Sequence, residues 1–192
     1  MVCMDGLGPH RRVSSPAPAK DMALDGFLAS VERRGFRMAE LALGHREDAL
    51  DAVQDAMVAF LGYRDRPQSE WPVLFFSVLR SRITDRHRRN SVRRRVLAVF
   101  GLGDDDEADP LAQVPDTGAG PAEQDEQQRA WNAMGHAVRS LPARQREAFL
   151  LRELQGLSGA ETAAAMGCSE GSVKTHLFRA LQALRTQLED WR

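Results

Sequence analysis

Between Trp71 and Arg95 the chain reads WPVLFFSVLRSRITDRHRRNSVRRR, and its guanidinium groups are the most chemically loaded feature of the sequence. Arg82, Arg86, Arg89 and Arg93 fall at i, i+4, i+7 and i+11, a helical stripe. From Arg80 to Arg95 there are eight arginines and one acid, Asp85, a local charge of +7. So dense a run of one sign repels itself and is tolerated mainly where a polyanion neutralises it. An ordinary solvated face mixes signs; this one does not. The chemistry it implies is nucleic-acid contact. Phe76, Leu79 and Ile83 form a second, apolar stripe at i, i+3 and i+7, so the same helix needs a partner surface.

A second constellation lies near the C-terminus. Ser158 and Glu161 have the S-x-x-E spacing of a capping box at a helix start. A short alanine-rich helix over 159–166 follows and ends at Gly167, and Ser169 caps the next helix. Small residues Ala163, Ala164 and Ala165 let the two helices cross closely. Val173, Leu177, Ala180, Leu181, Leu184 and Leu188 form the apolar stripe of the second helix. Ser169, Glu170, Ser172, Lys174, Thr175, His176 and Arg179 make its N-terminal half polar. A short helix, a tight turn and a longer helix with such a start match the helix-turn-helix design. Lys174 and Arg179 suit phosphates or guanine edges, and Glu170 suits cytosine N4. Packing alone would need only the apolar stripe.

A third feature is an acidic and amide strip, Asp48, Asp51, Gln54 and Asp55, on a helix over 46–61. Acids near a helix N-terminus are favoured by its macrodipole, so alone the strip reads as a solvated face. The apolar residues expected beneath it are Leu50, Val53, Met57, Phe60 and Leu61. Nucleophilic catalysis finds no support: Ser77 and Ser81 have no His or Lys partner at useful spacing. Cys3 and Cys168 are too few for a cysteine metal site or a disulfide framework, and His176 has no ligand partners nearby in sequence. No metal, cofactor or catalytic residue is expected, and the chain is expected not to be an enzyme.

The elements that must position these groups are helices. The 192-residue chain is rich in alanine, leucine and arginine, with 6% aromatic residues, which favours an all-α protein. Net charge is −1, so the positive charge is segregated and other segments must be acidic. Residues 1–21, rich in Pro, Gly and Ser, read as a disordered extension. Residues 22–97 read as a compact domain of three helices, with Gly35 as a break within the first and Ser69 as cap of the third. Residues 98–126 hold nine acids, three prolines and neither Lys nor Arg, and no periodicity survives along them. They read as a flexible acidic linker, since structureless loops beyond about 12–15 residues are rare within one domain. Residues 127–192 form the second domain, opened by a helix carrying Trp131, Met134, Val138 and Leu141. No apolar run is long enough to span a bilayer and no signal-peptide core is evident, which fits a cytoplasmic protein.

Together these stretches resemble bacterial RNA polymerase sigma factors of the extracytoplasmic-function type, over about residues 23–188. REDALDAVQDAMVAFL is similar to the family's region 2 helix, whose D-x-x-Q-[DE] face docks on the β′ clamp helices of core polymerase. That resemblance assigns Asp51, Gln54 and Asp55 to core binding. WPVLFFSVLRSRITDRHRR looks like the family's W-L-x-x-I-A-x-N-x-x-x-D-x-x-R-R segment, which recognises and melts the −10 element. It carries that role onto Trp71, Asp85, Arg88 and Arg89, joined by Arg82 and Arg86 of the cationic stripe. Ser81 stands where the family commonly has Asn. LPARQREAFLLRELQGLSGAETAAAMGCSEGSVKTHLFRAL resembles region 4, the −35 reader, with Gly171–Thr175 intact and His176 where Arg is frequent. The resemblance implies two small helical domains and a promoter-specificity subunit. It further implies the β flap of core polymerase, promoter DNA and an anti-sigma factor as partners. The acidic tract Asp104–Asp109 would then imitate a polyanion in a nucleic-acid channel. A helix-turn-helix regulator acting without core polymerase is the alternative, but it needs a sensor or dimerisation domain that the first half does not suggest.

Overall fold

The computed structural model describes residues 18–99 and 121–189, all helix and short connections, with no strand among them. The N-terminal unit comprises α1 (Pro18–Leu43), α2 (Arg46–Phe60) and α3 (Trp71–Val99). The C-terminal unit comprises α4 (Pro121–Ser140), α5 (Ala143–Phe149), α6 (Gly159–Met166) and α7 (Glu170–Glu189). Helix extends further than composition suggested at three places: α1 begins at Pro18, α3 runs to Val99, and α4 starts at Pro121. The acidic tract Asp104–Asp109 and residues 1–17 lie outside the described residues.

The core of the first unit forms because the apolar stripes of three helices meet. Val31, Met38 and Leu41 of α1 are buried with Val53 and Phe60 of α2 and Phe75, Phe76, Leu79 and Ile83 of α3. Aromatic rings dominate it: Phe60 and Phe75 meet edge to face at 5.9 Å, and Phe27 lies 5.2 Å from Phe60. Gly35 does not break α1. A Cβ built there would lie 3.3 Å from Leu79 and 3.4 Å from Phe75, so its missing side chain lets α1 and α3 approach closely. The chain turns instead at Gly44, whose φ of 78° is left-handed and whose N–H closes onto Glu40 O at 2.8 Å.

Two other local expectations are corrected. Ser69 lies inside a single 3-10 turn, Gln68–Glu70, and does not cap α3. The entry to α3 is anchored by Trp71 Nε1, which donates to Arg66 O at 2.9 Å. On α2 the buried positions are Ala49, Ala52, Val53, Ala56 and Phe60, while Leu50 and Leu61 are exposed. Small alanines face α1 and α3 because the aromatic rings of those helices already fill the space.

The second unit keeps its expected local chemistry. Ser158 Oγ accepts from Glu161 N, and Ser158 N donates to Glu161 Oε2 at 2.7 Å, completing the capping box of α6. Gly167 ends α6 in the left-handed conformation, and Ser169 Oγ accepts from Ser172 N at the start of α7. Between α5 and α6, Leu150–Leu154 forms a π turn, with Gln155 N bonded to Leu150 O at 3.0 Å.

The two units are in contact. α4 packs on α1 and α6 on α3. Arg34 and Gln155 exchange hydrogen bonds: the guanidinium reaches Gln155 O at 2.6 Å, and Gln155 Nε2 reaches Arg34 O at 3.2 Å. Glu147 of α5, almost fully buried, accepts from Thr84 of α3 and pairs with Arg80 of α3 at 3.3 Å.

Candidate nucleic-acid interface

α3 presents its arginines to different surroundings because successive residues of a helix point in different directions, 3.6 to the turn. Arg82, Arg88 and Arg89 face outward and are exposed, Arg88 with 81% of its side chain open. Asp85 lies beside them, its carboxylate 3.8 Å from Arg88. Arg80 turns the other way, onto Glu147.

Arg86 departs from the stripe drawn through it. Its side chain is only 17% exposed and points across to α2. There it bonds Asp48 Oδ1 at 3.2 Å, Asp51 Oδ2 at 3.4 Å and Asp55 Oδ2 at 3.2 Å. Asn90, one turn further, donates to Asp48 Oδ2 at 3.0 Å. The reason is readable afterwards: Leu79, Ile83, Arg86 and Asn90 follow one another at spacings of four, three and four. The apolar stripe of α3 that packs on α2 therefore continues into polar residues, and these meet the acids of α2. Arg86 is thus removed from the outward cationic face in this structure.

Trp71 is corrected as well. It is 3% exposed, with its ring against Phe27 and Phe60, and its indole N–H is satisfied by Arg66 O. A side chain so enclosed offers no face to a base. It also stands fourteen residues before Asp85, a longer spacing than that of the motif's Trp, whose position falls on Leu74.

On α2, Asp51, Gln54 and Asp55 are all exposed, as a docking strip requires. Leu50, Val58 and Leu61 are exposed beside them, Val58 by 70%. Sequence reading missed this apolar flank by assigning Leu50 and Leu61 to the core. It also missed the pairing of Asp48 with Arg86, whose signal was the continued stripe on α3. Among the described residues, no group of three or more His, Cys, Asp or Glu is arranged to hold a metal ion.

The N-terminal half of α7 stands at the surface. Ser169, Glu170, Lys174, Thr175 and Arg179 are exposed, and Ser172 and His176 are half-buried. Several hydroxyls are already engaged: Ser169 and Ser172 lie 2.9 Å apart, and Thr175 Oγ1 donates to Gly171 O at 3.0 Å. Val173, Ala180 and Leu184 are buried as expected, but Leu181 is exposed, as is Phe178, which is 62% open. Two carboxyls have shifted acidities. Burial pushes Glu40 above its ordinary value, against the opposing pull of Arg46 and a hydrogen bond from Trp131. The Ser158 backbone N–H holds Glu161 below its ordinary value, helped by the Ser158 hydroxyl.

Comparison with known proteins gives this geometry a family. Residues 131–184 match the family model described as Sigma-70, region 4. The ECF RNA polymerase sigma factor SigF of Caulobacter vibrioides is 33% identical over 165 residues, covering 84% of this chain and 82% of that protein. The chain belongs to the ECF family of RNA polymerase sigma factors. The ECF RNA polymerase sigma factor SigD of Mycobacterium tuberculosis is also similar to this sigma factor, 29% identical over 84% of the chain and 68% of that protein. In fold, it is similar to the sigma factor RpoE of Bartonella quintana, solved in complex with the anti-sigma factor NepR. The TM-score is 0.63 with 23% identity, over 92% of this chain and 100% of that one. A sigma factor is a promoter-specificity subunit of RNA polymerase, and that is the function of this chain. No described helix is long and apolar enough to cross a membrane.

Proposed function

We propose that the sigma factor divides its work among three surfaces. The exposed acids and Gln54 of α2 dock on the β′ clamp helices of core polymerase. Arg82, Arg88 and Arg89, with Asp85, form the face of α3 that captures the −10 strand as the duplex opens. Bases unstacked there expose edges that a duplex hides. The N-terminal half of α7, with Lys174 and Arg179 as its cations and Glu170, Ser172 and His176 beside them, contacts the −35 duplex. The β flap is the second polymerase contact. The protein works in the cytoplasm, without a cofactor and without catalytic activity of its own. An anti-sigma factor is a further partner, by likeness to the Bartonella sigma factor solved with one.

The observation that carries this reading is the segregation of charge within one small helical unit. Arg82, Arg88 and Arg89 open to one side of α3, while Asp51, Gln54 and Asp55 open on α2. One surface suits a polyanion and the other a basic partner, so both can be engaged at once. Two linked contacts with DNA then gain avidity through effective concentration. Run-off transcription with core polymerase and a library of promoter sequences tests the reading. Promoter-dependent transcripts, with affinity falling steeply in salt by about −0.9 in log K per phosphate, are expected. A nearly flat salt response, or no dependence on core polymerase, would count against it.

A further inference from the structure

The half-buried arginine that reaches from α3 to α2 points to a role distinct from its neighbours. We propose that Arg86 is a positioning residue for polymerase docking, which sets the geometry of the α2 strip, and is not a DNA contact. The inference rests on the reading of Asp51, Gln54 and Asp55 as the core-binding surface.

Asp48, Asp51 and Asp55 lie at i, i+3 and i+7 on α2, so their carboxylates crowd one edge of the helix and repel one another. Left alone they would splay into different rotamers. A single planar guanidinium reaches all three, at 3.2, 3.4 and 3.2 Å, and draws them into one fixed array. Asn90 holds the other oxygen of Asp48, so the innermost carboxylate is fastened on both sides. Asp48 is the most enclosed of the three, whereas the side chains of Asp51 and Asp55 remain 62% and 58% exposed. Arg86 therefore braces the strip from within and leaves its outer oxygens open. Three carboxylates and one guanidinium leave two negative charges, so the braced strip still favours a cationic partner. The same arrangement explains why α3, a DNA-facing helix, carries an arginine that does not face DNA. A preorganised array loses less side-chain entropy on binding than a mobile one.

The test uses the full-length chain and purified core polymerase. Arg86→Met keeps an unbranched apolar stem in place and removes the charge, and Arg86→Lys keeps the charge but not the fork. Affinity for core polymerase should fall about tenfold or more in R86M and recover in part in R86K. The salt slope of promoter binding by the assembled holoenzyme should be unchanged, since no phosphate contact is lost. In an Asp51→Ala, Asp55→Ala background the R86M effect should vanish, because its route to the partner has been removed. An R86M loss of the same size in that background would mean that Arg86 acts through general stability, and overturns the proposal. So would wild-type core affinity in R86M together with a salt slope reduced by about one phosphate. Asp51→Ala with Gln54→Ala separates the two levels. If that variant loses core affinity and R86M does not, the positioning role fails alone; if that variant keeps it, the docking reading beneath fails.

Discussion

α3 and α7 are the two cationic helices assigned to DNA, and they are built in opposite ways. α7 is set by local chemistry: a capping box at Ser158 and Glu161, a left-handed Gly167, and a Ser169 cap bring its polar end to the surface. α3 is set by tertiary pairing. Two of its arginines, Arg80 and Arg86, are engaged by carboxylates of other helices, while Arg82, Arg88 and Arg89 are exposed. Charge counting along a sequence therefore gives a faithful inventory of α7 and an inflated one of α3. An arginine contributes to a polyanion-binding face only if the fold has not already given it an anion.

The largest effect that would break this contrast lies at Arg80. Glu147→Ala leaves that guanidinium without its carboxylate in a nearly buried setting, where removing one partner costs about 3 kcal/mol or more. Thermal unfolding should show the loss, and an unchanged midpoint would mean Arg80 behaves like an exposed arginine after all. Next comes the open face of α3. Arg88→Ala with Arg89→Ala should reduce the salt slope of promoter binding by about 1.4, two single-strand phosphates' worth, with little loss of fold stability. Lys174→Ala on α7 should remove about 0.9 of slope, one duplex phosphate's worth.

The local construction of the helix-turn-helix is tested by Ser158→Ala, expected to cost about 1 kcal/mol through the lost cap and to lower the thermal midpoint accordingly. Because Glu161 is held below its ordinary value, its contribution is present above that value and lost as pH falls through the lowered one. Acid titration of stability should show this decline in the wild type and a weaker one in Glu161→Gln. The smallest effect is expected at Glu40 of α1, which takes a hydrogen bond from Trp131 of α4. Burial raises its pKa, so the unfolded chain releases its proton first and stability falls as pH rises through the raised value. Glu40→Gln should flatten that fall.

Legibility in the sequence follows the same divide. The all-α class, the stripe Phe76, Leu79 and Ile83, both caps of the helix-turn-helix and the surface position of Asp51, Gln54 and Asp55 are readable from spacing alone. Each depends on residues within a few positions of one another. Trp71, Arg86 and Leu50 are misjudged from sequence because their surroundings come from distant segments. Trp71 packs against Phe27, Arg86 against α2, and Leu50 is excluded from a core that aromatic rings have filled. Gly35 is misread because a glycine that permits close helix packing and one that breaks a helix look alike in sequence. The difference lies in Leu79 and Phe75 of α3, more than thirty residues further along the chain.

The central claim is that docking and strand capture occupy separate faces of the first unit. Its most direct measurement sets two variants side by side, Arg88→Ala with Arg89→Ala and Asp51→Ala with Gln54→Ala, each assayed for core-polymerase affinity and for promoter opening by permanganate reactivity. The arginine variant should form holoenzyme with wild-type affinity yet leave the promoter closed, and the α2 variant should fail at holoenzyme formation. Equal loss of core affinity in both would contradict the division.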